Sequence, residues 1–146
     1  MDTQTLAELV RQKRECLVQL AGLVRRQQSL IEAEEMAHLL DLLAAKQRLV
    51  AELEGIERKL KPFHKQNAEE RRWTSDQQRA RCAEDLGACQ RLLDEILDKE
   101  TRSEAELSRR RDQTHERLEG THRAHDARQA YTFPTWEDLN QVDFSS

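Results

Sequence analysis

Leu39-Leu40-Asp41-Leu42-Leu43-Ala44-Ala45-Lys46-Gln47-Arg48-Leu49-Val50-Ala51-Glu52-Leu53-Glu54-Gly55-Ile56-Glu57-Arg58-Lys59-Leu60-Lys61-Pro62-Phe63 decides the fold. Leu39, Leu42, Lys46, Leu49, Leu53, Ile56, Leu60 and Phe63 recur in steps of three and four. That spacing places them on one stripe of an α-helix, where seven of the eight positions are apolar. Leu40, Leu43 and Val50 flank the stripe and are expected to widen its first half. Pro62 is expected to end the helix, because the residue before a proline is pushed out of the α region.

Upstream, a second stripe runs Leu6, Leu9/Val10, Cys16/Leu17, Leu20, Leu23/Val24 and Leu30/Ile31, interrupted only by Lys13 and Gln27. It is two residues wide, which suits a helix packed against more than one neighbour. Its start is expected at Thr3 or Thr5, with Thr5-Leu6-Ala7-Glu8 as a capping box. Between the stripes, Ile31-Glu32-Ala33-Glu34-Glu35 holds neither Gly nor Pro. Residues 5–61 therefore read either as one long helix or as two helices turning near 32–35. A lone helix could not bury its own stripe, so the hairpin 6–31 and 36–60 is the expectation.

Downstream, residues 62–75 form a polar connection, with helix starts at Asn67 or at Ser75-Asp76. A third stripe follows: Cys82, Leu86, Cys89, Leu92/Leu93 and Ile96/Leu97. From Asp98 to Ala130 only Leu107 and Leu118 are large and apolar, and Gly120 is a candidate breaker. A helix from 76 to 119 would be about 66 Å long, against about 42 Å for one of the hairpin helices, so it should overhang, bend or fray.

Composition supports an all-α protein. Charged residues make up 36% and aromatics 4%, with four Gly and two Pro, a mixture poor in strand formers and turn signals. The expected architecture is an antiparallel helical hairpin plus a long third helix, a three-helix bundle, with an irregular C-terminal tail. Residues 1–130 form the bundle and 131–146 a flexible aromatic, acidic tail carrying Tyr131, Phe133, Trp136 and Phe144 with Glu137, Asp138 and Asp143.

The net charge of −4 argues against nucleic acid as partner. The densest basic run, Arg109-Arg110-Arg111, sits between Glu106 and Asp112 and reads as a solvated helix face. No apolar run has the length of a membrane span, and the N-terminus lacks a signal-peptide layout, so a cytoplasmic protein is expected. Cys16, Cys82 and Cys89 lack zinc spacing and read as small buried hydrophobes. His115, His122 and His125 could share a helix face, but no core orients them and no metal is expected. There is no Gly-rich phosphate loop and no nucleophile elbow. The carboxylates alternate with Arg and Lys at surface spacing, so neither an enzyme nor a cofactor is expected.

Leu30-Ile31-Glu32-Ala33-Glu34-Glu35, followed by the leucine-rich run to Leu53, resembles the first hairpin of the FlgN family of flagellar export chaperones. In that family a helix and a short acidic turn lead into a helix with a K-x-x-L-x-x-x-L core, which Lys46-Gln47-Arg48-Leu49-Val50-Ala51-Glu52-Leu53 matches. The resemblance covers residues 6–131. Glu100-Thr101-Arg102-Ser103 stands where the family often has asparagines. Tyr131-Thr132-Phe133-Pro134 lacks the glycine that usually follows the C-terminal tyrosine. The resemblance implies a cytoplasmic type III export chaperone that holds hook-filament junction proteins, which are flagellar hook-associated proteins, and delivers them to the flagellar export apparatus. It also implies that Tyr131, with Phe133 and Trp136, docks on the export gate.

The fading of the third stripe suggests that residues 100–130 bind cargo by helix-on-helix packing, with Leu107 and Leu118 as anchors. A homodimer pairing that same segment is the rival expectation. Two further readings are a structural coiled-coil tether or self-associating scaffold, and a coiled-coil regulator of the export ATPase. A spacer should keep its heptads to the end of the chain, and this sequence loses them after Leu97.

Overall fold

The computed structural model describes residues 2–124, with side chains to His122. They form helix α1 (Thr3–Glu32), helix α2 (Met36–His64), a single 3-10 turn (Ala68–Glu70) and helix α3 (Asp76–Ala124), with no strand among the described residues. The fold is an all-α three-helix bundle. It divides into one compact unit through Glu100 and a second from Thr101. Tyr131, Phe133, Trp136 and the expected irregular tail lie outside the described residues.

The hairpin turns where the acidic segment predicts. Glu35 N–H donates to Leu30 O and Glu34 N–H to Ile31 O, each at 3.1 Å. This is the Schellman closure of a helix C-terminus. It places Glu34 in the left-handed region at φ 57°, a conformation glycine adopts freely and other residues at a cost of about 1 kcal/mol.

The start of α1 corrects the capping-box expectation. Asp2 is the cap, its Oδ1 accepting from Gln4 N–H at 2.9 Å. Thr3 is buried and donates to Arg72 O at 2.6 Å, which ties the α2–α3 connection to the start of α1. At α3 the cap is Ser75: its Oγ accepts from Gln78 N–H at 3.1 Å, and the Gln78 side chain accepts from Thr74 N–H at 2.9 Å. Asn67 caps only the 3-10 turn.

Pro62 does not end α2, which continues to His64. Proline removes one N–H, but Phe63 is buried in the core and its carbonyl accepts from Arg71 Nη2 at 2.6 Å. That anchoring is worth about 1.5–3 kcal/mol for the ring alone, comparable to the cost of the proline. Gly120 does not break α3 either; one glycine in a helix costs about 1 kcal/mol against Ala, too little to force an end.

In the first unit, one core cluster joins Leu6, Leu9, Val10, Cys16, Ile56, Leu60, Phe63 and Cys82. The next joins Leu17, Leu20, Ala21, Val24, Cys89 and Ile96, and Leu49 and Leu53 pack against both. Leu30, Ile31, Leu39 and Leu42 are buried beside the turn. Polar contacts between helices show their directions. Arg14–Asp85 (2.7 Å) and Arg25–Glu95 (2.6 Å) keep a nearly constant offset, so α1 and α3 run parallel. Lys13–Glu57 (2.5 Å) and Lys46–Gln27 (2.7 Å) run in opposite order, so α2 is antiparallel to α1.

The buried faces are narrower than the stripes suggest. Leu86 and Leu97 are exposed, as are Leu40 and Val50, and Leu43 is only half-buried. On α3 the buried apolar positions are Cys82, Ala88, Cys89 and Ile96, and Leu86 and Leu97 stand at one edge of that arc. No described helix is long and apolar enough to cross a membrane.

Candidate partner-binding surfaces

Two of the three polar exceptions on the first two stripes meet, while Lys13 pairs with Glu57. Gln27 on α1 and Lys46 on α2 each lie one turn from the apolar cluster around Val24 and Leu49. Glu100 on α3 joins them. Lys46 Nζ donates to Gln27 Oε1 at 2.7 Å and to Glu100 Oε1 and Oε2 at 2.8 and 2.9 Å. Gln27 Nε2 donates to Glu100 Oε1 at 3.1 Å. Gln27 is buried and the Lys46 side chain is 13% exposed, so the ammonium sits in poor solvent, held by one carboxylate and one amide. Such a layer costs desolvation, which its mutual bonds offset; its clearest effect is on register, because a slip of any helix leaves a buried polar group unpaired. Heptad reading finds Gln27 and Lys46 as isolated interruptions and has no means of showing that they face each other.

The second unit is built differently. Over residues 101–122 only Ser103 is buried, and its hydroxyl lacks a hydrogen-bond partner among the described residues. Leu107 and Leu118 are half-buried. They are eleven residues apart, three turns of helix, so they share a face. Glu106 accepts from Arg109 Nη2 at 2.6 Å and Arg110 Nε at 2.7 Å. Those two guanidiniums, Arg109 first, hold its carboxyl down to about 2. The Arg109–Arg111 run is thus partly neutralised along its own helix, with Arg111 also 3.8 Å from Asp112.

Of the histidines, His115 lies 3.1 Å from Glu119, His122 is exposed, and His125 is outside the described residues. The three thiols are free and buried, and burial is the first cause pushing each above its ordinary range.

The structure therefore brings Leu107 and Leu118 onto one helical face and leaves Tyr131, Phe133 and Trp136 outside its description. No family model, curated protein or solved structure matches this chain.

Proposed function

We propose that this protein is a helical binding chaperone that holds partner helices against residues 101–124 of α3. In its finer form, it is a cytoplasmic type III export chaperone for hook-filament junction proteins, delivering them to the flagellar export apparatus through Tyr131, Phe133 and Trp136. One observation carries the binding role. This stretch keeps α-helical backbone to Ala124 while, among its described side chains, Ser103 alone is buried. Leu107 and Leu118 form the apolar seam of an otherwise charged face, the usual layout of a helix-in-groove contact. Two half-exposed leucines give limited apolar area, so affinity is moderate and release easy, as a delivery role requires.

The test is titration of purified hook-filament junction proteins against the full chain by calorimetry, with amide exchange across residues 101–124. Binding should weaken at least about tenfold in Leu107→Asp/Leu118→Asp, the loss of about 1.4 kcal/mol, with circular dichroism unchanged. Exchange there should slow when the junction protein is added. Absence of binding to any junction protein overturns the export reading. Binding that survives the double substitution moves the surface elsewhere.

A further inference from the structure

The end of α2 and the connection after it carry an excess of positive charge. From Arg58 to Arg72 there are six cations (Arg58, Lys59, Lys61, Lys65, Arg71 and Arg72) against Glu69 and Glu70. The stretch therefore holds +4 in a chain of −4, and the remainder carries −8. Arg58, Lys61 and Lys65 step by three and four along one face of α2 and its cap, spanning about 10 Å. All three are exposed, and none joins an ion pair among the described residues. Nearby Glu57 is engaged by Lys13. With Pro62 and Gln66 the three cations line a shallow concavity of about 540 Å³.

A purely structural account covers only part of this. Cations favour a helix C-terminus, but the effect fades within the last turn, which here holds Lys61 and His64. Arg58 lies further in, where like charges at these spacings repel. Elsewhere in the first unit, Arg11, Arg14 and Arg25 each have carboxylate partners. The wider concavity between the starts of α1 and α3 has Asp2, Glu8 and Asp85 on its rim beside Arg11 and Arg81, so it favours neither sign.

We propose that Arg58, Lys61 and Lys65 form a docking site for an acidic segment of a partner protein, whose carboxylates meet the three cations while its apolar side chains rest on Pro62. A protein segment fits better than a nucleic acid. Three cations across about 10 Å match a short acidic peptide, whereas a polyanion would extend over a chain that is otherwise at −8. Nor, among the described residues, is there a stacking platform beside the three cations, since Phe63 is buried and Trp73 packs against the core. This site is separate from Leu107 and Leu118 and does not rest on the export-chaperone reading.

The experiment uses the full chain and a fluorescein-labelled peptide of repeated Glu-Ala-Leu-Glu units, read by anisotropy at low and high salt. The peptide should bind, bind more weakly as salt rises, and lose at least about tenfold in affinity with Arg58→Glu/Lys61→Glu/Lys65→Glu, as fits loss of charge complementarity. The same peptide with Lys for every Glu should not bind. Should the triple Glu variant lose its helical circular dichroism, Arg58→Gln/Lys61→Gln/Lys65→Gln carries the reading, with a smaller loss in the same direction. Failure of the acidic peptide to bind, or equal binding to the variants, overturns the proposal. So does single-stranded RNA, or a phosphatidylserine vesicle, that binds more tightly than the peptide and is lost with the same variants.

Discussion

Residues 3–100 and residues 101–122 share α-helical backbone, yet they differ in apolar content and bury side chains very differently. In the first region Val10, Leu17, Val24, Leu39 and Leu60 are almost fully enclosed, and charged pairs such as Arg25–Glu95 link one helix to another. In the second, Glu106 pairs with Arg109 and Arg110, and His115 with Glu119, along α3 itself. Charges that pair between helices fix an arrangement; charges that pair within one helix support only that helix. Helical propensity and buried area are thus separable, and a sequence can supply one without the other.

The sharpest way to break this contrast is to truncate one leucine in each region. Leu60→Ala should destabilise the protein by about 2–5 kcal/mol in urea unfolding, because Leu60 is 2% exposed and leaves a cavity. Leu118→Ala should cost less than about 1 kcal/mol, being half-buried. Equal costs would mean that the two regions share one kind of core.

The polar layer sharpens the comparison at the next level. Lys46→Ala should cost about 1–3 kcal/mol, since it takes the cation from Glu100 and the donor from Gln27 Oε1; the partial exposure of Glu100 keeps the figure below that of a fully buried pair. Replacing all three by apolar residues, Gln27→Leu/Lys46→Met/Glu100→Leu, should restore or exceed the original midpoint. A triple variant as unstable as Lys46→Ala would show that the layer contributes stability of its own rather than register.

A smaller gain is expected at the turn. Glu34→Gly should stabilise by up to about 1 kcal/mol, relieving the left-handed backbone without altering the Schellman bonds. Loss of stability there would assign a role to the Glu34 side chain.

The smallest effect belongs to Glu106. Its folded-state titration lies below the ordinary carboxylate value, so the contribution of its arginine pairs is present above about pH 4.5 and is lost as the pH falls towards about 2. Carboxyl carbon NMR should show the lowered midpoint, and Arg109→Ala should raise it. An unchanged midpoint in that variant would assign the shift to another cause.

Much of this architecture is legible in the residues. Paired stripes around an acidic gap place the hairpin, because two apolar faces of similar length can bury only each other. The turn chemistry is not legible, since Glu34 takes a conformation that sequence rules reserve for Gly or Asn. Pro62 and Gly120 mislead for different reasons: at Pro62 local rules count the missing N–H and cannot see Phe63 in the core, and at Gly120 a propensity cost of about 1 kcal/mol is too small to end a helix. Leu40, Val50, Leu86 and Leu97 are apolar yet exposed, which is ordinary for a protein surface and invisible to a pattern that counts apolar residues. The candidate surface is half legible. Leu107 and Leu118 stand out because the stripe fades around them, while Gln27, Lys46 and Glu100 look like unrelated defects until three helices bring them together.

The positions of the thiols have an experimental consequence. All three cysteines lie at or before residue 89, each is buried, and Cys16 Sγ donates to Leu49 O at 3.3 Å. Burial also raises their titration, so at neutral pH an alkylating reagent reaches them only in the instants when the bundle opens. The protein therefore carries an internal clock for opening of its first unit, readable by mass spectrometry without any engineered label. Nothing in the second unit contributes to that clock. A partner that engages only residues beyond Glu100 should leave the alkylation rate untouched, and one that holds the three helices together should slow it.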